Sequence, residues 1–588
     1  MKNETTLSAK IIPASIIIIA GFIIILLRLW QLQIVQGSEY RKTAESNRLR
    51  VIGIPAPRGI IYDRNGLPLV KDTPFFIASV IPAEISNKHL PLLAEILDMP
   101  AEEVYKKITE SRHNPDIPIR LKEPLTFEEI SFLEARRSDV PGLIIEVDLG
   151  RKYLYGPTAS HLIGYLGKLT PDQAANPENH DVPPMAFIGQ WGVEKLFDKR
   201  LRGIAGKKVY EVDALGREIR LFQEQQPIEG KDLTLSIDIS LQQEVEKAFE
   251  GKAGAFVALK PKTGEILGLV SSPSFDPNKF THGITYEAWQ ALMQDRKFPM
   301  LNRTIQSTYP PGSIFKLITA VAALEEGVIN EETTVNCSGS IKYGNRKFRC
   351  WKRGGHGRVS IHRALVESCD VFFYEIGKRL GIDTMYTYAS KFGLGSKTGF
   401  PFGNEKEGLI PNTAWKIETK KTKWFLGETF INAIGQGYVS ITPIQAAFMT
   451  SIFANGGTSF NPLILMEDDP KKINRIDLSP QTIRIVSDSL KGVVHEKRGT
   501  GKAARSDMMT IAGKTGTAQV VSIRKESKDL PEHIRDHAWF IAYAPVEKPE
   551  IALAVFVEHG GHGGSAAAPI AKKAIESYLL RKDHEKKQ

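Results

Sequence analysis

Ser313 and Lys316 stand three residues apart in "YPPGSIFKL", behind two prolines and a glycine and ahead of the apolar run "LITAVAAL". Pro310 and Pro311 impose extended backbone, so the spacing predicts a helix that starts at or beside Ser313. The two side chains would then share one helix face, with Cβ atoms ~5–6 Å apart. The positive end of the helix dipole favours an alkoxide at Ser313, and dipole and burial both disfavour charge on the Lys316 amine. A hydroxyl beside an amine base is the arrangement of an activated serine nucleophile. Alone, S-x-x-K is better explained as a helix cap followed by a solvent-facing lysine.

Two further segments shift that balance. "ESCDVFFYE" sets Ser368 and Asp370 at the edge of an aromatic helix, and "IAGKTGTAQVV" sets Lys514, Thr515, Gly516 and Thr517 on a strand that is apolar on either side. Glycine at 516 leaves room for another backbone, and Lys514 with the threonine hydroxyls suits a carboxylate on a peptide paired along the strand edge. A second K-T-G, Lys397 to Gly399, lies among glycines and a proline that mark a loop. Gly513-Lys514-Thr515 is no phosphate loop, which needs glycine where Met508 stands and a helix after the lysine.

All three cysteines, Cys337, Cys350 and Cys369, fall within 33 residues, with His356 among them. The C-x12-C-x5-H-x12-C spacing is not a short zinc knuckle, yet one Cys3His set satisfies a closed tetrahedral zinc site. A disulfide with one free thiol and three unlinked thiols are the other readings. Because Cys369 sits between Ser368 and Asp370, a metal here would brace that motif from behind and be structural.

The elements that must position these residues span a chain of 588 residues, too long for one core. A net charge of +10 without basic runs interleaved with aromatics argues against nucleic acid and for an anionic membrane or polymer nearby. Ile11 to Leu27 carries no charge and as a helix spans ~26 Å; "LWQLQIV" extends it, so 11–32 reads as a transmembrane anchor behind a short inside tail, 1–10. Leu29 and Trp30 stand where signal-peptide cleavage needs small residues. Lys2 and Lys10 against Arg28, Arg41 and Lys42 leave orientation to the short tail. From about Ser46, 45–230 reads as a mostly-β pedestal, with a turn at Arg64-Asn65-Gly66 and a helix capped by Thr126. A strand from Leu233 to Ile237 and a helix from Ser240 open an α/β domain over 232–580. Its sheet comprises a hairpin around Lys262-Thr263-Gly264 and three strands after residue 508. A last helix follows, and 581–588 reads as a disordered tail.

The order S-x-x-K, S-x-D, K-T-G resembles the class B penicillin-binding proteins, acyl-serine transferases that share a fold with serine β-lactamases. "RGIIYDRNG", "RKYLYGPTASHLIGYLG" and "GQWGVEKLFDKRLRGIAG" are similar to their pedestal signatures, and "AIGQGYVSITPIQAA" to their transpeptidase domain. The resemblance covers nearly the whole chain and is strongest to elongation-type members. It implies a single transmembrane helix, the pedestal, and a transpeptidase domain with a central antiparallel sheet. It also implies a D,D-transpeptidase of peptidoglycan stem peptides, acylated by β-lactams at Ser313. Lys316 would be the base, Ser368 a proton relay, the Ser313 and Thr517 N–H groups the oxyanion hole, and Lys514, Thr515 and Thr517 the carboxylate site. Elongation-type members carry S-x-D where the family generally has S-x-N, which leaves Asp370 without a carried-over role. They also hold structural zinc in the region of the cysteines. The implied partners are the glycosyltransferase RodA, MreC and the inner membrane, with catalysis on the periplasmic side.

The alternatives are a D,D-carboxypeptidase or β-lactamase, which needs neither anchor nor pedestal, and a non-catalytic β-lactam sensor, which needs more spans or a signalling region. Arg151 and His161 lack a supporting constellation and read as packing or hydrogen-bonding residues. The loop histidines His559 and His562 make an improbable metal site.

Overall fold

The computed structural model describes residues 4–38, 40, 49–54, 56–110, 118–179, 182, 186–212, 218–520 and 531–585. Lys2, Arg41, Lys42, Ser46 and the last three residues lie outside that set. Two compact units result, one of Met1–Arg58, Pro74–Leu149 and Arg202–Gly230, the other of Gly59–Thr73, Gly150–Leu201 and Lys231–Gln588.

In the first unit the apolar N-terminal stretch is a helix from Glu4 to Trp30, continued as a π-turn over Gln31–Val35. Ser15–Val35 is long and apolar enough to cross a membrane, with mean hydropathy 2.3 and none of it buried. The strand Ile119–Lys122 and helices Leu90–Ile96, Ala101–Glu110 and Phe127–Ala135 enclose Leu93, Val104, Leu121 and Leu133. Thr126 caps the last helix as expected: its hydroxyl accepts from Glu129 N–H while Glu129 accepts from Thr126 N–H. A three-stranded sheet of Leu49–Ile54, Gly206–Val212 and Glu218–Gln225 completes the unit.

The second unit takes in two segments that the sequence reading assigned to the pedestal, and polar contacts explain why. Arg64 pairs with Glu265 at 2.9 Å, Asp63 accepts from Ile239 N–H, and Asn278 bonds both backbone groups of Tyr153 at 3.0 Å. The strand at 233 is shorter than expected, Leu233–Thr234, and the helix begins at Ile239 because Asp238, not Ser240, caps it through Leu241 N–H.

Five antiparallel strands form the main sheet: β1 (Gly254–Leu259), β2 (Ile266–Ser272), β3 (Ala512–Ala518), β4 (His537–Ala544) and β5 (Ile551–Val557). Their order, β2-β1-β5-β4-β3, leaves the K-T-G strand β3 at an edge. Nearly every residue in β1, β2, β4 and β5 is buried, so these strands read as continuous apolar runs rather than alternating ones. One face packs on Pro443–Ala454, the other on Ile239–Ala248 and the C-terminal helix. That helix runs from Ala568 through Glu585, where disorder was expected from 581. The residues there are good helix formers without Gly or Pro, and Arg581 and Lys582 pair with Asp238 and Glu550.

Arg151 and His161 prove to be interior residues. Arg151 is held by Glu194 at 2.8 Å and Asp72 at 3.1 Å. The His161 ring packs edge-on against Phe275, and burial, with positive Arg303 adding to it, pushes its pKa down to about 3 although the Pro299 carbonyl opposes. The unfolded chain protonates near pH 6.5 and the folded one only near pH 3, so stability is full above 6.5 and is lost as pH falls from 6.5 toward 3. Between pH 7 and pH 5 this site is expected to cost about 2 kcal/mol of stability. Urea denaturation of the wild type and His161→Asn at both pH values checks this: the pH difference should shrink in the variant.

Candidate active site and thiol cluster

Ser313 lies in a single 3₁₀ turn, Gly312–Ile314, and the α-helix starts only at Lys316 and ends at Glu325. The delay has a backbone cause. Gly312 sits at φ +55°, and its N–H donates to Gly435 O at 2.8 Å, which draws the turn off the helical path. A Cβ on Gly312 would lie 2.4 Å from Thr517 O, and one on Gly435 2.2 Å from Gly312 O. Another on Gly516 would lie 2.8 Å from Pro311 O. The Ser313 turn, the Gly435 loop and β3 therefore meet backbone to backbone. Trp539 Nε1–H donates to Pro310 O at 3.0 Å and Gln436 Nε2–H to Thr517 O at 3.0 Å, holding both sides of the contact.

Behind the turn, Lys316 and Lys514 are both fully buried and converge on Ser368. Lys316 Nζ donates to Ser368 O at 3.0 Å, Ser368 Oγ at 3.3 Å and Asp370 Oδ1 at 2.6 Å. Lys514 Nζ donates to Ser368 Oγ at 3.1 Å and to Thr515 O at 3.1 Å. Ser368 reaches this position in the left-handed region, φ 54°, between the helices Ile361–Val366 and Asp370–Leu380. For a residue with a Cβ that conformation costs of order 1–3 kcal/mol. Burial and the positive charge of Lys316 hold the Lys514 amine well below its usual range, with Asp370 opposing. Burial raises the Asp370 carboxyl, with Lys316 opposing.

The structure thus gathers Ser313, Lys316, Ser368, Asp370, Lys514, Thr515, Gly516 and Thr517 into one place. It leaves out the second K-T-G, where Thr398 N–H and Oγ–H both donate to Glu405 in a loop. Four participants escaped the sequence reading. Trp351 donates its N–H to Asp370 Oδ2 at 2.8 Å and its indole N–H to Ser368 O at 3.1 Å. Thr500 Oγ1 lies 2.9 Å from Thr515 Oγ1, and Gln436 and Trp539 are the braces described above. Only "AIGQGY" offered a signal, through its paired glycines; the others become neighbours solely by tertiary contact.

Cys337, Cys350, Cys369 and His356 are all buried, with the four ligand atoms within 4.8 Å of one another and no disulfide among the thiols. His356 Nδ1 lies 3.6 Å from Cys337 Sγ and 3.5 Å from Cys350 Sγ. A tetrahedral zinc with ordinary bond lengths sets its N and S ligands about 3.5 Å apart. Donor types and spacing therefore fit that ion. The hydrogen bond between Cys350 and Cys369 lowers the first thiol's pKa and raises the second's. The cluster adjoins the site directly, since Asp370 N–H donates to Cys350 Sγ at 3.4 Å.

An edge-strand K-T-G beside a buried S-x-x-K and S-x-D on an antiparallel sheet defines a penicillin-binding serine transpeptidase. Residues 254–576 match the "Penicillin binding protein transpeptidase domain" family and 53–235 the "Penicillin-binding Protein dimerisation domain" family. Peptidoglycan D,D-transpeptidase MrdA of Acinetobacter baumannii is 36% identical over 590 residues, covering 96% of this chain and 86% of the relative. PBP2 of Helicobacter pylori, solved in complex with MreC, aligns with TM-score 0.78 at 30% identity over 90% of this chain and 99% of that one. A chain from a peptidoglycan synthase complex, solved for its coordination of polymerization and crosslinking, aligns with TM-score 0.73 at 29% identity over 97% and 98%. The chain belongs to the MrdA, or penicillin-binding protein 2, family of cell-elongation peptidoglycan D,D-transpeptidases.

The backbone contacts at Gly312 generate a prediction. Gly312→Ala should slow acylation by fluorescent penicillin at least about tenfold, since a Cβ there is both strained and obstructed. Gly403→Ala, with nothing within 4 Å, should leave the rate unchanged. Stopped labelling time courses on both variants decide it.

Proposed function

We propose that Ser313 is the acyl carrier of a cross-linking reaction between peptidoglycan stem peptides. The observation that carries this reading is the convergence of Lys316 and Lys514 on Ser368 Oγ directly behind the Ser313 turn. Ser313 Oγ attacks the carbonyl of the penultimate D-alanine while Lys316 takes its proton. The tetrahedral oxyanion is held by the Ser313 and Thr517 N–H groups, each worth about 3 kcal/mol. The C–N bond to the terminal D-alanine then breaks, and Ser368 passes a proton to the leaving amine. An amine of a second strand attacks the acyl-enzyme, forming the new amide and freeing Ser313. Asp370 Oδ1 accepts from Lys316 Nζ and so holds that amine beside Ser368. Lys514, Thr515 and Thr517 bind the substrate carboxylate, and the peptide lies along the outer edge of β3. β-Lactams enter as mimics of the same dipeptide and acylate Ser313.

Cys337, Cys350, His356 and Cys369 hold a structural zinc, supported by the donor set and its spacing; when bound it fixes the loop that carries Trp351 and the start of the Asp370 helix. The apolar helix is a single-pass anchor in the inner membrane with its N-terminus inside, so catalysis takes place in the periplasm. The partners are MreC, as for the Helicobacter pylori relative, and a RodA glycosyltransferase, as the synthase-complex relative suggests. No nucleic acid enters this reading. The anchor and the dimerisation-type domain favour transpeptidation over a free hydrolase or a sensor.

Two outcomes follow. Full-length protein supplied with nascent glycan strands should release D-alanine and form cross-linked muropeptides, and Ser313→Ala should form none. Release of D-alanine without cross-links would instead assign a carboxypeptidase. Protein purified without chelator should carry one zinc per chain with its three thiols unreactive until chelation; no zinc and three reactive thiols would remove the metal.

A further inference from the structure

The positive charge of this chain is concentrated in two short segments, and the first alternates cations with rings from Lys342 and Tyr343 to Trp351 and Lys352, which corrects the reading that no basic run is interleaved with aromatics. Residues 341–358 and 416–424 hold 11 of the 77 Lys and Arg but only 1 of the 67 Asp and Glu, so the rest of the chain carries 66 of each. The first segment contains the hairpin of Ser340–Tyr343 and Arg346–Arg349; the second leads into the helix Leu426–Ala433. The fold joins them: Phe348 packs on Phe430 with ring centroids 5.0 Å apart, Tyr343 packs on the same ring at 5.7 Å, and Phe348 crowds Gly427. Lys342, Arg346, Lys347, Lys420, Lys421 and Lys423 are all exposed, and among the described residues none forms an ion pair. Exposed aromatic faces lie between them, Tyr343 at 47%, Trp351 at 59% and Phe425 at 52%.

The patch reaches the active site, because Trp351 follows the hairpin directly and its indole bonds the Ser368 carbonyl. Unpaired like charges on one surface focus a field that concentrates anionic ligands there. The acceptor in cross-linking has the complementary chemistry, with stem-peptide carboxylates for the cations and apolar sugar faces for the rings. We propose that this basic, aromatic surface docks the un-cross-linked acceptor strand and delivers its anionic stem peptides to the acyl-enzyme. This rests on the transpeptidase reading and names the substrate class taken on that side of the cleft.

The test uses full-length protein in which the six cations are replaced together, Lys342→Gln, Arg346→Gln, Lys347→Gln, Lys420→Gln, Lys421→Gln and Lys423→Gln. The probe is soluble glycan strands with un-cross-linked stem peptides, titrated at two salt concentrations. The variant should bind at least about tenfold more weakly and with a flatter salt dependence. Its rate of penicillin acylation should equal the wild type's. Wild-type protein should bind strands with amidated carboxylates as weakly as the variant binds natural ones. Unchanged strand binding by the variant would overturn the proposal, and so would a loss confined to phosphatidylglycerol vesicles, which would make the surface a membrane contact. Failure of the transpeptidase reading itself shows separately, as absence of acylation at wild-type Ser313.

Discussion

Two buried lysines share one hydroxyl. Lys316 and Lys514 both donate to Ser368 Oγ in a buried pocket, where two full charges in such proximity are costly. One carboxylate, Asp370, faces Lys316, and desolvation moves Lys514 toward its neutral form. Burial thus works against full charge on both amines at once. The pocket sets two amine nitrogens behind the Ser313 turn, where the proposed reaction takes up a proton and hands it on.

The fold is arranged to bring those nitrogens together from three distant parts of the chain. Lys316 comes from a helix whose apolar neighbours Leu317, Ile318 and Val321 are fully buried, each worth roughly 1.5–3 kcal/mol. Lys514 comes from an edge strand whose partner, β4, is itself interior. Ser368 is held in the left-handed region by the hydrogen bonds on its carbonyl and by the thiol cluster one residue on. No side chain fits between the Ser313 turn and β3 or between that turn and the Gly435 loop, so glycine at 312, 435 and 516 sets how closely these three backbones approach.

Much of the candidate site was legible in the sequence, because its residues are of rare type and stand at short, fixed spacings. The strands around residues 254–272 and 512–557 were equally readable from their apolar runs and intervening turns. What escaped was set by tertiary contact. A glycine hydrogen bond to a loop 123 residues away delays the helix after Ser313, and nothing local to "PPGS" encodes it. The helix expected from Ser240 begins one residue earlier because Asp238 caps it, a boundary that local propensity does not decide. Trp351 carried no local signal of its place beside Ser368 and Asp370, which long-range hydrogen bonds set. The charged C-terminal tail misled in the other direction, since its composition suits helix as well as disorder and two ion pairs select the helix.

The central claim is that this pocket turns Ser313 into a covalent acyl carrier. Its most direct test is peptide mapping by mass spectrometry of full-length protein quenched after brief exposure to penicillin. A single penicilloyl adduct on the peptide containing Ser313, localised to that residue by fragmentation, is the predicted result. An adduct on Ser368 or any other side chain, or an unmodified protein, would contradict the account.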